Sequence, residues 1–532
     1  MKLNGLSLLV LFCVSGFLPP GTLDAADWLT FGYDPQRSGW AFDEKILSVQ
    51  SVERLELKWK VQLKNEPRAL HALTVPLVAG NVTTPQGVKT LVYVAGTSNI
   101  LFALDTKSGT LIWSKKFEPH ALPHDEIYWQ CPQSITATPV IDKGKGLIYV
   151  ITAEGVLYGL DLGTGQIKFG PVQFVTPFSK NWSLNLVDGV LYTSVSQSCS
   201  GDLLGIYAMD VRDPSRPVTR HLFGDLGGGA GSWGRGGATI GKNGRIYAAT
   251  GDGTFDPSTQ QYANSVLAVS VGDLRLLDHF TPLNWRDVNR FDLDISCTSP
   301  VWFADSDYNL LAVGGKEGVL YLMDAEALGN KDHHTPLFVT PRLANDEETF
   351  AGKGIWGGLS AWKDEAGQSW LYVPVWGEVS KKAPRFPLTN GPNPHGSIMA
   401  FKVVRARASQ KPILEPAWIS GDFNVPEPVV IANGVLFGLS NGEDIRQNKE
   451  GGKIDITTID WSKFKLLTIE ERRANPHQAI LYALDAKTGR ALYNSDVSID
   501  TWTHFSGLAV ANGCIYAVDF SSQVYCFGLK AN

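Results

Sequence analysis

A chain of 532 residues with 47 basic and 53 acidic side chains, and a formal net charge of −6, lacks the basic excess that steers proteins to nucleic acid or to an anionic membrane surface. Aromatics make up 11% of the residues against only four methionines, a balance that suits a rigid, closely packed β architecture and argues against a flexible adaptor. Length alone predicts three or four domains at roughly 150 residues each, an expectation that the internal repeats overrule.

The chain opens with Lys2 ahead of an apolar run from Leu6 to Leu18, then Pro19, Pro20 and small residues at Ala25 and Ala26. That order is the anatomy of a secretory signal peptide over residues 1–26, too short for a membrane span. Cys13 follows the bulky Phe12, which speaks against lipid attachment. No later stretch approaches the roughly twenty apolar residues of a transmembrane helix. Residues 27–532 are therefore expected to be soluble in an oxidising compartment, periplasmic or secreted, with no transmembrane segment.

A strand-like run, LELKWKVQL (Leu55 to Leu63), comes next with no strand before it to pair. A repeated phrase follows: a strand, a turn led by Asp, and often a second strand ending on an aromatic residue. The clearest copies are ALDTKSGTLIW (Ala103 to Trp113), GLDLGTGQIKF (Gly159 to Phe169) and ALDAKTGRALY (Ala483 to Tyr493). Weaker copies centre on Asp210, Ser270, Asp324 and Lys402, and the last lies around Phe527. Within a copy the Asp accepts backbone N–H bonds, and Gly109, Gly165 or Gly489 supplies the positive φ of the turn. The eight copies predict an all-β, eight-bladed propeller forming a single domain over residues 27–532. The eighth copy stops after its third strand, so the Leu55 to Leu63 run is expected to complete the last blade and remove two exposed sheet edges.

Between 443 and 478 a polar insertion interrupts the repeat. Its LTIEERRANP carries a capping box, Thr468 with Glu471, and predicts one short helix ending at Asn475-Pro476; it is either a lid over the ring or a surface excursion. Gly229 to Gly234 matches G-x-G-x-x-G, but turn and strand follow it instead of a helix N-terminus. Gly236 to Lys242 resembles a phosphate loop but ends in Asn243. His333 and His334 have no acidic or Cys companion in sequence and read as solvated. No H-E-x-x-H or strand–G-x-S-x-G–helix context is present, which argues against zinc-protease and α/β-hydrolase chemistry. Removal of the signal leaves Cys131, Cys199, Cys297, Cys514 and Cys526, an odd number, so at least one thiol is unpaired within the chain. Cys514 and Cys526 flank a predicted turn around Phe520 and can face one another, either as a disulfide or as two buried thiols. There is no C-x-x-C-H for a c-type haem and no zinc-like spacing.

Four stretches are richer in polar and special residues than blade packing needs: GGGAGSWGRGG (Gly227 to Gly237), RIYAATGDGTF (Arg245 to Phe255), RFDLDISCTSP (Arg290 to Pro300) and LAVGGKEGVLYLMD (Leu311 to Asp324). With the repeats and the N-terminal ADWLTFGYDPQRSGWA, they make the chain resemble the pyrroloquinoline quinone (PQQ) propeller superfamily, including quinoprotein alcohol dehydrogenases and polyvinyl-alcohol dehydrogenase-like propellers without a haem domain. The resemblance implies that Trp233 forms a floor under the quinone. Thr250-Gly251-Asp252 matches a T-G-N segment that binds calcium, with Asp252 a hard oxygen ligand. Phe291-Asp292-Leu293-Asp294 matches an acidic W-D-x-D-like element, with Asp292 as general base and metal contact and Asp294 beside the cofactor. Lys316, in Gly315-Lys316-Glu317-Gly318, matches the basic residue that contacts the quinone oxygens.

The chain also departs from that pattern. A vicinal Cys-Cys lid is replaced by the single Cys131, the calcium-binding Glu has only the shorter Asp202 as a counterpart, and no Arg stands near Ser134 for the cofactor carboxylates. Two readings follow. One is a PQQ- and Ca2+-dependent dehydrogenase that oxidises an alcohol or sugar and passes electrons to an external acceptor, no haem domain being present. The other is a non-enzymatic scaffold with a degenerate cofactor site, like outer-membrane assembly lipoproteins, binding protein partners through its blade loops. At residue level the same fork recurs: Trp233 as floor or blade-seam aromatic, Asp252 as ligand or turn former, Asp292 and Asp294 as base or backbone cap.

Overall fold

The computed structural model describes residues 26–118, 130–197, 199–201, 203–225, 229–405, 410–460 and 462–531. Residues 1–25 of the expected signal peptide, Asp202, and Gly227 and Gly228 lie outside the described residues. Eight sheets of mainly antiparallel strands occupy 77–116, 140–173, 180–222, 239–280, 301–339, 354–419, 430–494 and 509–529. Their innermost strands touch one another in cyclic order, the eighth against the first, which closes an eight-bladed propeller. The described α-helices are two short ones, Trp285–Arg290 and Ile469–Arg473. No described helix is long and apolar enough to cross a membrane.

The strand Leu55–Gln62 is the outermost of the eighth blade. It pairs antiparallel with Gln523–Leu529, from Leu55 opposite Leu529 to Gln62 opposite Gln523, with a bulge between Leu57 and Trp59. The expected closure is therefore present, and the strand Leu55–Gln62 shares one sheet with the strands from 509 to 529.

The repeats work at the seams as well as in the turns. Asp161 Oδ1 accepts from Gly163 N at 3.1 Å and Thr164 N at 2.9 Å, and Gly165 then turns with φ +68°. The indole of Trp113, from the preceding blade, lies where a Cβ on Gly165 would sit, and its Nε1 donates to Leu162 O at 2.8 Å. Trp59 over Gly109 and Trp418 over Gly489 repeat the arrangement. A glycine is thus required twice at each such turn, for its φ and for the ring that docks on it.

A feature with no repeat signature encloses one end of the ring. Ala26 bonds Asn512 of the eighth blade, Trp28 pairs with Val78 of the first, and Leu29 O accepts from Ile141 N of the second. Thr30 Oγ1 donates to Leu184 O of the third, Pro35 O accepts from Ile240 N of the fourth, and Gln36 O from Trp302 N of the fifth. Ser38 O accepts from Ala361 N of the sixth, and Ala41 N donates to Ile431 O of the seventh. This belt visits every blade in turn. The buried Arg37 pins it, donating to Thr30 Oγ1 at 2.7 Å, Phe31 O at 2.8 Å and Leu184 O at 3.1 Å.

Of the two readings open for Cys514 and Cys526, the structure takes the unbridged one. Cys514 stands opposite Gly528 and Cys526 opposite Tyr516, so the pair is offset along the strands. The disulfide joins Cys131 to Cys199, 68 residues apart. The insertion does more than run over the surface: the capping box at Thr468 and Glu471 forms as expected, and the helix after it turns Arg472 inward.

Candidate active site

A cavity of about 280 Å³ opens at the ring axis, lined mainly by segments of blades three to eight and their linkers. Phe31 of the belt, His71, Arg235 and Phe505 line the narrower axial space beneath it. The cavity contains Trp233, Asp252, Asp292 and Lys316, four of the five residues singled out in the sequence, and the fifth, Asp294, bonds to Lys316 just behind its wall.

The acidic pole grows from the linker between the fourth and fifth blades. The helix Trp285–Arg290 ends at Phe291, and Asp292 then takes a left-handed φ of +50°, which turns the chain. Asp294 caps the next short turn, accepting from Ser296 N at 3.2 Å and Ser296 Oγ at 2.7 Å. Lys316 N donates to Asp294 O at 3.0 Å, which carries the Lys316 side chain to the same place. Its ammonium lies 2.5 Å from Asp292 Oδ1 and 2.9 Å from Asp294 Oδ2. Carboxylate oxygens of Asp252, Asp292 and Asp294 fall within 4.8 Å of one another.

Three carboxylates around one ammonium leave an excess of negative charge in a half-dry site. Burial, reinforced by Asp252 and Asp294 against the pull of Lys316, pushes Asp292 well above the usual carboxylate range. Burial also raises Asp252. For Asp294 burial is outweighed by Lys316 and Ser296, and its carboxyl is held low. Burial opposes the charge of Lys316, yet Asp292 and Asp294 keep it protonated, well above its ordinary value. Among the described residues the Asp252 carboxylate accepts no hydrogen bond from another residue. A hard cation with oxygen ligands fits that donor set.

The cationic pole was not read from the sequence. Lys180, on the inner strand Lys180–Asn181, is 6% exposed, with its Nζ 4.9 Å from the Trp233 ring centroid and 5.4 Å from that of Trp182. It has no carboxylate partner among the described residues. Burial, then Arg235 and Arg472, push it well below the ordinary lysine value. Arg235 lies between the rings of Trp182 and Phe505, 5.1 Å from each centroid, and meets His71 Nδ1 at 3.0 Å. Trp356 and Trp376 stack at 4.9 Å, with Phe505 next in the pile.

From the insertion, Arg472 Nη2 donates to Glu443 Oε1 at 2.7 Å, and Glu443 Oε2 holds His504 Nδ1 at 2.6 Å. Glu443, Ile445, Gln447 and Arg472 all line the cavity, so the insertion is one of its walls. Gln130 and Gln197, beside Cys131 and Cys199, line another part, and the disulfide ties these rim segments together.

Burial pushes Glu443 up from 4.5 to about 7. A raised carboxyl makes the folded chain the better proton binder, so this contribution is present below pH 4.5 and is lost as pH rises towards 7. Wild-type protein should lose about 3 kcal/mol more stability across that interval than Glu443→Gln. Urea denaturation of both proteins at pH 5 and pH 7.5 measures the difference, and parallel curves would contradict it.

Lys180 and the polar residues of the insertion carried no motif. Arg235 stood in the SWGRGG stretch, two residues past Trp233, and its guanidinium lines the cavity.

Residues 28–189 match the family model described as "Glucose/ethanol/alcohol dehydrogenase, beta-propeller domain" of the PQQ type. The chain is 30% identical over 145 residues to quinohemoprotein alcohol dehydrogenase ADH-IIG of Pseudomonas putida, covering 27% of this chain and 17% of that protein. It is 25% identical over 150 residues to the quinohemoprotein alcohol dehydrogenase of Comamonas testosteroni, covering 28% and 19%. The matched stretches thus span less than a fifth of these relatives. The solved structure of the Pseudomonas putida HK5 enzyme superposes with a TM-score of 0.56 at 14% identity, over 95% of this chain and 81% of the other. A europium-containing methanol dehydrogenase gives a TM-score of 0.57 at 13% identity, over 95% and 98%. At those identities the likeness is one of fold. The family-model match ends before Trp233, so the acidic pole lies beyond it.

Proposed function

We propose that this chain, an eight-bladed propeller of the PQQ type, is a periplasmic or secreted dehydrogenase that oxidises an alcohol or sugar and passes electrons to an external acceptor. The observation that carries the reading is the two-pole cavity: three convergent carboxylates with Lys316 at one end, buried Lys180 and Arg235 at the other, and indole faces between them. A flat quinone with several carboxylates, bound beside Ca2+, has the matching charge pattern. Asp252, Asp292 and Asp294 would hold the cation, Trp233 would stack, Lys180 and Arg235 would take the carboxylates, and Lys316 would reach the quinone oxygens. When bound, PQQ supplies an electrophilic carbon for the substrate hydride, with calcium polarising the adjacent carbonyl. Asp292 accepts the hydroxyl proton of the substrate, and the Lys316 ammonium holds Asp292 in position. Trp356, Trp376 and Phe505 exclude water from that end.

Burying so many charges costs folding free energy that a pure scaffold would have no reason to spend. The disulfide between Cys131 and Cys199 suits an oxidising compartment. The test is to add PQQ and CaCl2 to apoprotein, follow quinone absorbance and melting temperature, and then assay an artificial acceptor with primary alcohols, secondary alcohols and sugars. Binding at micromolar PQQ together with acceptor reduction is expected. No binding and no turnover would favour the scaffold reading.

Lys180→Met separates ligand binding from stability. A charge-assisted contact is worth about 1.5–3 kcal/mol, so PQQ affinity should fall ten- to a hundredfold. The melting temperature of the apoprotein should rise, since a buried amine with no carboxylate partner among the described residues is removed. Unchanged PQQ affinity would remove Lys180 from the cofactor site.

A further inference from the structure

The paired histidines at 333 and 334 do have an acidic companion, which comes from the neighbouring blade. His333 Nδ1 lies 3.0 Å from Asp278 Oδ1, and the His333 ring stacks on His279 at 4.2 Å. Ligand-capable atoms of Asp278, His279 and His333 fall within 4.8 Å of one another. Asp278 and His279 belong to Leu276–Phe280, the outermost strand of the fourth blade, whereas His333 follows the turn Asn330–Asp332 of the fifth.

The cluster is held from several sides. Asp278 Oδ2 accepts from Leu328 N at 2.8 Å, and Oδ1 accepts from His279 N at 2.8 Å. Asp332 accepts from His334 N at 3.0 Å and Thr335 N at 3.1 Å, fixing the turn that presents His333. His279 is 9% exposed and packs against Tyr262, and its ring nitrogens have no hydrogen-bond partner among the described residues. An imidazole with no protein hydrogen-bond partner thus stands beside a second imidazole and an anchored carboxylate.

We propose that Asp278, His279 and His333 form a two-histidine, one-carboxylate site for a divalent transition-metal ion such as Zn2+, Ni2+ or Cu2+. Imidazole nitrogen suits these ions, whereas calcium and magnesium take oxygen donors. The 3.0 Å separation of His333 Nδ1 and Asp278 Oδ1 is the edge between two ligands about 2.1 Å from an ion and roughly at right angles, as in tetragonal Cu2+ or Ni2+ sites, and a tetrahedral Zn2+ would open it to about 3.4 Å. The ion takes the place of the shared proton, and the His279 ring turns out of its stack to supply the third ligand. Such a site staples the outer edge of the fourth blade to the fifth. It also fixes the root of the segment that runs through the helix Trp285–Arg290 to Asp292.

Chelator-treated, dialysed full-length protein would be titrated calorimetrically with ZnCl2 in excess calcium, which saturates oxygen-only sites. One zinc ion per chain is expected, with affinity reduced at least tenfold by His333→Ala and by Asp278→Asn and unaltered by His334→Ala. The His333 side chain is 43% exposed, so that variant should fold, which near-ultraviolet circular dichroism would check. With CuCl2, electron paramagnetic resonance should show two coupled nitrogens in wild-type protein and one in His279→Gln. Absence of saturable zinc binding, or equal affinity in His333→Ala, overturns the proposal whether or not the protein binds PQQ.

Discussion

Protein lacking residues 27–63 should not be recoverable as a folded monomer. The deletion removes the outer strand of the eighth blade and the belt that bonds to every blade. About ten backbone-type hydrogen bonds at about 1 kcal/mol each are comparable with the entire 5–15 kcal/mol stability of a typical domain. One new sheet edge is also exposed, that of Gln523–Leu529, which loses its only partner on that side, and open edges aggregate. A shorter deletion of residues 27–44 separates the two contributions, since it leaves Leu55–Gln62 able to pair. It should lower the melting temperature steeply yet allow some ring closure. Size-exclusion chromatography and thermal melting read both truncated proteins; a monomer of unchanged melting temperature from the longer deletion would show that neither the belt nor the strand closes the ring.

The blades were legible because their signals are local. Asp161, Gly165 and Phe169 lie within nine residues of one another, so turn chemistry and strand length can be read from a short window. The closing strand was legible by elimination, as a strand with no neighbour. The belt was not, since Leu29, Gln36 and Ala41 find partners at Ile141, Trp302 and Ile431 with no period linking them. The cavity divides in the same way. Trp233, Asp252, Asp292, Asp294 and Lys316 stand in ordered, compact motifs, whereas Lys180, Glu443, Arg472 and His504 are single polar residues that only ring closure brings together. The disulfide followed the same rule: a predicted hairpin set Cys514 beside Cys526, which remain neighbouring free thiols on adjacent strands, whereas Cys131 and Cys199, 68 residues apart, meet only in the folded ring.

Asp292→Asn should leave the fold intact and remove catalysis. The amide keeps the shape of the carboxylate and can still accept from Lys316, but it cannot take a proton, and loss of a general base typically costs a hundred- to ten-thousand-fold in turnover. The melting temperature should hold or rise, because one of three crowded carboxylates loses its charge. Asp294→Asn is the contrasting control. Asp294 accepts from Ser296 and pairs with Lys316 at 1% side-chain exposure, so this change should destabilise the linker itself. Lys316→Ala should impair turnover too, yet removing the ammonium from among three carboxylates should strengthen calcium binding, an outcome that mere unfolding would not give. PQQ-loaded variants compared at saturating substrate, with calcium affinity measured separately, distinguish these effects. Asp292→Asn turnover within tenfold of wild type would place the base elsewhere, and His504, its Nδ1 held by Glu443 at 2.6 Å, would then be the residue to change.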